Sequence, residues 1–398
     1  MQMSKTTGLL ILCVWLLPVA SMKLLPFGWP LYPVEIVLLA ALPFLSSRER
    51  GKFFLQSSFA RSVSVCAGLF LLGTCLSYYT HPNGWTGLGQ IKSFFFFPLL
   101  FWVMALEELE SVQKTERVLW HMRAMMAVSG AAALLWGVWH GLTYDHRLSA
   151  WFDSPNLLAI FLLPGAVLWL AQVATAKRFI WTEVLAWIAI TGALFLTRSY
   201  GAIGAFLLAG GFFLWRERTF SISRVPWRVM GLVLALFIIF LSFETGTEKW
   251  SALAEGNIRS SFESRIMIWR SAVKMVAENV WTGIGPGRFQ TVYLEYQSFY
   301  PPYLEWAVPH PHNLFLAFWL ASGVLGAGAF LWLVSLLFVF FRTSPSCKEK
   351  SLSLAILLSF FVVGLVDVPY FRSEFSYLFW FTLAWITALA ARDQAART

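Results

Sequence analysis

Residues 313–341 read Asn313-Leu314-Phe315-Leu316-Ala317-Phe318-Trp319-Leu320-Ala321-Ser322-Gly323-Val324-Leu325-Gly326-Ala327-Gly328-Ala329-Phe330-Leu331-Trp332-Leu333-Val334-Ser335-Leu336-Leu337-Phe338-Val339-Phe340-Phe341, without one ionisable side chain. A helix rises about 1.5 Å per residue, so roughly 20 apolar residues cross a hydrocarbon core about 30 Å thick. This stretch is more than long enough. Similar runs recur along the whole chain. Of the 398 residues 58% are hydrophobic, 17% aromatic and only 13% charged, and the mean hydropathy is +0.65. That composition excludes a water-soluble globular protein. The chain reads as an all-α polytopic membrane protein.

About twelve spans are expected, at 7–20, 32–46, 62–79, 91–106, 118–141, 155–174, 179–197, 201–215, 228–244, 313–341, 351–367 and 375–391. Met1–Ala20 has the outline of a signal peptide. Leu17-Pro18-Val19-Ala20-Ser21-Met22 is a poor cleavage site, however, and another span follows at once, so a retained helix is expected. With an inner amino terminus, one side receives Lys5, Arg48, Arg50, Lys52, Arg61, Lys114, Arg117, Lys177, Arg178, Arg216, Arg218, Arg224, Arg228, Arg342, Lys348, Lys350, Arg392 and Arg397. The opposite loops offer little beyond Lys23, Lys92, Arg147, Arg198 and Arg372. By the positive-inside rule both termini are cytoplasmic. The net charge of +9 is then largely topology and gives no reason to expect nucleic acid. The four cysteines lack metal-ligand spacing, so neither disulfides nor zinc are indicated by them.

The spans divide the chain into residues 1–244 with nine helices, a long outer loop over 245–311, and residues 312–398 with three helices and a cytoplasmic tail. Long loops in compact folds tend to carry function. Within this one, Phe262, Ile266, Trp269, Val273, Val276 and Val280 lie within roughly 40° of one helical line. Glu263, Arg270, Lys274 and Glu278 form a flank, giving an amphipathic helix suited to the bilayer surface. Arg265 falls about 60° off the apolar line on the other side. It either snorkels to lipid headgroups or aims its planar fork inward at a phosphate. Gly283-Ile284-Gly285-Pro286-Gly287-Arg288-Phe289 is a turn rather than a phosphate-binding P-loop, because it lacks the Lys-Ser/Thr ending. Arg288 is kept as a residue near the site.

Glu305-Trp306-Ala307-Val308-Pro309 leads into His310-Pro311-His312-Asn313 at the start of the long run. The positive end of a helix dipole disfavours a cation, so neutral imidazole, able to take a proton, is expected there. His312 is the candidate general base for a hydroxyl, with His310 as its neighbour; interfacial capping is the other reading. Asn313 suits capping. Leu196-Thr197-Arg198-Ser199-Tyr200-Gly201 joins two spans with almost no loop, and Arg198 needs an anionic partner near the hydrocarbon region. Lys92 is expected to snorkel. Asp367 and Arg372 are expected to form a mutual or neighbouring ion pair. Asp153, Glu263 and Glu305 are the carboxylates that could orient a histidine or grip sugar hydroxyls, Glu305 first by proximity in sequence.

These elements together resemble the O-antigen ligase and polymerase superfamily of bacterial membrane glycosyltransferases. The resemblance rests on Phe152-Asp153-Ser154-Pro155-Asn156, Arg265 with Trp269, Gly283–Gly287 with Phe289, Pro309–Leu316 followed by Ser322-Gly323-Val324-Leu325-Gly326, and Asp367-Val368-Pro369-Tyr370. It implies a helical membrane glycosyltransferase of about twelve spans with a large outer loop. It further implies an undecaprenyl-diphosphate-linked glycan donor and metal-independent, inverting transfer without a cofactor, at the outer face of the bacterial inner membrane. The acceptor is lipid A core or another glycan. By resemblance Arg265 binds diphosphate and His312 is the base; Arg198, Arg288, His310, Asn313 and Glu305 are the expected substrate-binding residues. Tyr200 stands where members carry arginine. Arg198 lies two residues earlier, about 200° around a helix, and replaces it only if the backbone there is irregular.

Ligation to lipid A core and polymerisation of repeat units share this chemistry. A protein-glycosylating branch ranks lower, since only modest spans follow the His-Asn element. A lipid-linked sugar transporter predicts polar residues within several spans, whereas here they gather in one outer loop. A non-catalytic scaffold of an assembly complex is the remaining alternative.

Overall fold

The computed structural model describes residues 4–24, 30–45, 57–176, 180–217, 242, 261–300, 308–343 and 347–395. The expected span 228–244, the candidate Glu305 and the basic residues Arg48, Arg50, Lys52, Lys177, Arg178, Arg218, Arg224, Arg228 and Arg397 lie outside them. Among the described residues the architecture is all helix, with one isolated bridge between Leu24 and Leu31.

The helices are α1 Lys5–Leu16, α2 Pro33–Ala41, α3 Ser58–Thr80, α4 Gly84–Leu109, α5 Val112–His140, α6 Pro155–Thr175, α7 Trp181–Leu196 and α8 Tyr200–Arg216. After these come α9 Ser261–Glu278, α10 Phe289–Tyr296, α11 Leu314–Thr343, α12 Lys348–Val363 and α13 Ser373–Ala395. Every expected span outside 228–244 overlaps one of these helices. Six, α3, α4, α5, α6, α11 and α13, are long and apolar enough to cross a membrane, and α1, α2, α7 and α8 are shorter apolar helices. The chain is therefore a multi-pass membrane protein. α4 widens to a π-helix over Ile91–Phe96, and α13 is buried on nearly every side.

Local chemistry sets the boundaries. Ser4, Ser57 and Ser154 each accept a backbone N–H from the first turn that follows, which satisfies donors a helix start leaves orphaned. Pro33 and Pro155 open α2 and α6, where a missing N–H costs nothing. α12 stops at Val363, short of the expected Asp367. Gly364 approaches Leu314 so closely that its carbonyl accepts the Leu314 N–H at 2.7 Å. Pro369 then excludes helical backbone at Val368. Residues 364–372 are released to build a site.

The helix ends sort into two groups. At one end Thr6 and Thr7 donate to the buried Glu108, which also pairs with Lys114 at 3.3 Å, while Arg392 pairs with Glu349 and holds the Glu110 carbonyl. At the other, Trp151 donates to Pro18, Leu148 to Leu196, Asn83 to Gly287 and Asn313 to Leu365. The long-loop helices belong to this second end, opposite the first turn of α1.

α9 corrects one expectation in part. Its residues facing the protein are Met267, Ile268, Ser271, Ala272, Met275 and Val276, a face roughly 130° from the expected apolar line. Phe262, Val273 and Val280 are exposed. The helix thus has two apolar faces, one sealed against Leu320, Ile284, Phe289 and Tyr293 and the other turned outward.

Lys92 corrects another. It does not snorkel: its Nζ lies 2.6 Å from Glu35 Oε2 and donates to the Pro30 carbonyl, while Ser93 donates to Glu35 Oε1. Glu35 has no exposed surface, so leaving it unpaired is far costlier than the rotamer freedom Lys92 gives up.

Candidate active site

α11 is broken at Gly323, whose φ of 63° and ψ of −161° lie outside any helix. The break is filled from the long loop. Val324 N–H donates to Trp281 O and Ile284 N–H to Leu320 O. Gly283, at φ 67°, sits so close that a Cβ there would lie 2.6 Å from Trp319 O. Gly285, at φ 94°, is pressed against the His81 backbone in the same way. The glycine turn therefore clamps α11 to the α3–α4 connection, which explains why only glycine fits it. Burial and the charge of Arg288 push the His81 ring below its ordinary pKa. The structure thus places Arg288 beside the α3–α4 connection.

This clamp fixes the start of α11, where the chemistry gathers. Asn313 accepts the Leu316 N–H at 3.0 Å and donates to Leu365 O at 3.2 Å, capping α11 and tying it to the end of α12. His312 has φ 47°, a left-handed conformation that costs about 1–2 kcal/mol for a side chain of this kind. Trp269 of α9 donates its indole N–H to the His312 carbonyl at 3.1 Å. The imidazole Nδ1 lies 3.3 Å from Asp367 Oδ1. An ionised carboxylate only accepts, so the proton sits on Nδ1 and a neutral ring presents Nε2 as a proton acceptor.

Of the mutual or neighbouring ion pair expected for Asp367 and Arg372, the neighbouring form is found for Arg372, which bonds Glu374 at 2.7 Å and also Asp153 at 2.6 Å, leaving Asp367 to His312. Asp153, a candidate to orient a histidine, is accordingly taken up by Arg372. Burial works against the ionised form of Asp367. The hydrogen bond from His312 and the charges of His312, His310 and Arg265 outweigh it and hold the carboxyl well below the usual range. Its Oδ1 also accepts the N–H of Val368 at 2.9 Å.

Arg265 reaches the same loop. Its Nε donates to the Val366 carbonyl at 2.7 Å, which sets the guanidinium beside Asp367 and His310. The two ends of the Arg265–Trp269 element therefore hold the two chain segments that carry Asp367 and His312. Arg198 has a left-handed backbone, φ 49°, so the junction between α7 and α8 is irregular, as a replacement for the residue at Tyr200 requires. A Cβ on Gly201 would touch Val366, so this junction abuts the same loop.

The His310 ring packs edge-on to His312 with centroids 4.6 Å apart, and its buried Nδ1 has no hydrogen-bond partner. Burial first, then the neighbouring His312, pushes its pKa down to about 4. It lines a cavity of about 140 Å³ together with Gln90, Phe94, Gly285, Phe289 and Phe371. His310, His312 and Asp367 are also the group among the described residues whose ligating atoms, all within 4.8 Å of one another, could hold a metal ion.

Sequence reasoning named His312, His310, Arg265 and Asn313, and these meet at one end of the bundle. It missed the His312–Asp367 bond. The available signal was a carboxylate isolated in a late apolar stretch just before Val368-Pro369, where a charge needs a nearby partner.

An all-α membrane protein with a histidine–carboxylate pair and an arginine held over it by a loop helix is the class that this fold and site define. Residues 184–331 match the O-antigen ligase family profile. Over this segment the chain is similar to the O-antigen ligase family, in agreement with the resemblance carried by its motifs. The matched segment includes Arg198, Arg265, Arg288, His310, His312 and Asn313, and Asp367 follows it in sequence. No curated protein sequence matches the chain.

Proposed function

We propose that the chain is an inner-membrane glycosyltransferase of twelve crossings with both termini cytoplasmic. It moves a polysaccharide from undecaprenyl diphosphate to a hydroxyl of lipid A core at the periplasmic face. The observation that carries this reading is the 3.3 Å contact between His312 Nδ1 and Asp367, set in a loop that Arg265 grips. His312 Nε2 takes the proton of the acceptor hydroxyl. The oxygen then bonds to the anomeric carbon from the face opposite the diphosphate, and the bond from that carbon to the phosphate oxygen breaks with its electron pair going to the diphosphate. Configuration inverts. Arg265 offsets charge developing on the leaving group, and Asp367 stabilises the imidazolium.

The diphosphate is already a good leaving group, so cations and one base carry most of the demand and no metal or cofactor step is required. Arg198, Arg288, Glu305, His310 and Asn313 are the remaining substrate-side residues of this reading. Asn313 acts through the backbone by capping α11.

Purified chain in proteoliposomes with a defined undecaprenyl diphosphate glycan tests the reading, with lipid A core and a second donor as alternative acceptors. Capped lipid A core is the expected product. Lengthened glycan still on its carrier would make the chain a polymerase, and full transfer by His312→Ala would remove the base.

A further inference from the structure

We infer that His310, His312 and Asp367 form a binding site for a transition-metal ion of the zinc type, and that the ion inhibits transfer by occupying the His312 ring. Two imidazoles and a carboxylate are the donor set that zinc takes when one position stays open, whereas magnesium and calcium prefer all-oxygen shells. The spacing fits. With metal–ligand bonds of about 2.0–2.1 Å, ligand atoms around a tetrahedral zinc lie roughly 3.3 Å apart, and His312 Nδ1 and Asp367 Oδ1 are 3.3 Å apart. The widest separation in the trio is within 4.8 Å, so His310 closes the site by a movement of roughly 1.5 Å.

His310 supplies an independent observation. Its Nδ1 is buried and lacks any hydrogen-bond partner, an expensive state for a polar atom that ligation relieves. Arg265 lies close enough to act on both His310 and Asp367, and its positive charge opposes the ion. The site therefore favours reversible occupancy over a permanently resident metal.

The consequence for catalysis follows from the tautomer. The metal takes the place of the proton between Nδ1 and Asp367, and that proton, the single N–H of the neutral ring, moves to Nε2. The nitrogen that faces the acceptor hydroxyl then carries a hydrogen and cannot take another. This inhibition rests on the reading of His312 as the base; the binding does not.

The test separates the two. Titration of the full purified chain in detergent with ZnCl₂ is expected to give one ion per chain, and MgCl₂ none. X-ray absorption at the zinc edge of the wild-type complex is expected to show two imidazoles in the coordination shell, which needs no variant. His310→Gln weakens zinc binding at least about tenfold, the low end of what losing even a ligand's supporting contact costs, while His140→Ala leaves it unchanged. A zinc shell with fewer than two imidazoles, unaltered affinity in a folded His310→Gln chain, or absence of stoichiometric binding overturns the site. Stoichiometric binding without loss of transfer keeps the site and refutes the reading of His312 as base.

Discussion

Asp367→Asn is the perturbation that isolates one term of the proposed mechanism. The amide keeps Oδ1, which accepts from both the Val368 N–H and His312 Nδ1, so the loop and the ring orientation survive. The charge is what disappears. Two unit charges 3.3 Å apart in a partly buried setting interact by about 5 kcal/mol at an effective dielectric of 20. That interaction matters only once His312 becomes a cation, late in proton transfer. Arg265 already offsets part of the carboxylate field, and the retained hydrogen bond offsets more. About 2–4 kcal/mol should therefore be lost from the transition state, a fall of roughly 30- to 1,000-fold in the transfer rate. Single-turnover transfer in proteoliposomes under saturating donor measures it, with thermal melting confirming the fold. A rate within about threefold of wild type, while His312→Ala is inactive, would refute the idea that the carboxylate stabilises the imidazolium.

Other outcomes follow from the same geometry. The depressed pKa of His310, about 4 against an ordinary value near 6.5, means that the unfolded chain binds a proton the native chain refuses between those limits. Its contribution is fully present above the unfolded value and is lost as pH falls toward 4, by up to about 3 kcal/mol; melting of His310→Gln against wild type between pH 7 and pH 4.5 should show the smaller acid loss in the variant. Lys92→Met leaves the fully buried Glu35 without its cation and should cost about 3–5 kcal/mol, whereas Glu35→Leu with Lys92→Met should recover most of it, as judged by melting in detergent. Gly283→Ala combines a left-handed backbone with a Cβ about to strike the Trp319 carbonyl, so a loss of about 2–5 kcal/mol and faster proteolysis within 279–289 are expected; an unchanged digestion pattern would show that the turn yields freely. Trp269→Phe removes the donor to the His312 carbonyl while keeping the ring, and should lower the maximal transfer rate more than donor affinity.

Helix placement was legible because apolar runs and their capping residues are local properties. The lengths of the long apolar helices follow from hydrocarbon thickness, and Ser57, Ser154, Pro155, Gly141 and Gly364 mark ends of α3, α6, α5 and α12. His312 and Arg265 were legible as polar residues stranded at the edge of such runs. Their partners were not. Asp153 and Arg372 lie 219 positions apart in sequence and Lys92 and Glu35 lie 57 apart, so each pairing depends on which helices become neighbours. The orientation of α9 was hidden for a different reason. Met267, Ile268, Ala272 and Met275 are as apolar as the line through Phe262 and Val273, and periodicity alone cannot say which face meets protein and which meets lipid. The His312 partner of Asp367 was hidden because the span was read on to that residue. Gly364 and the close approach of Leu314 end the helix one turn sooner, turning a supposed span terminus into the loop whose carboxylate faces His312.

The distribution of left-handed backbone explains why the site could arise where it did. Among the described residues, positive φ occurs at Gly84, Gly141, His146, Ala150, Arg198, Gly283, Gly285, Gly287, His312 and Gly323. All follow helices that run away from the first turn of α1, or lie in the long loop, at the entry to α11 or in its first third, so all sit toward one end of the bundle. Within hydrocarbon the backbone must satisfy its own hydrogen bonds, and a regular helix is the simplest way to do so. Irregular backbone is admissible only where neighbouring protein supplies the missing partners. Here it does: across the break in α11 the Trp281 carbonyl accepts the Val324 N–H and the Leu320 carbonyl accepts the Ile284 N–H, Trp269 covers the His312 carbonyl, and Arg265 covers that of Val366. The long loop therefore does more than roof the site. It supplies the hydrogen-bonding partners that the broken helix and the released 364–372 segment need, and so lets a histidine, a buried carboxylate and an arginine converge at one end of the bundle.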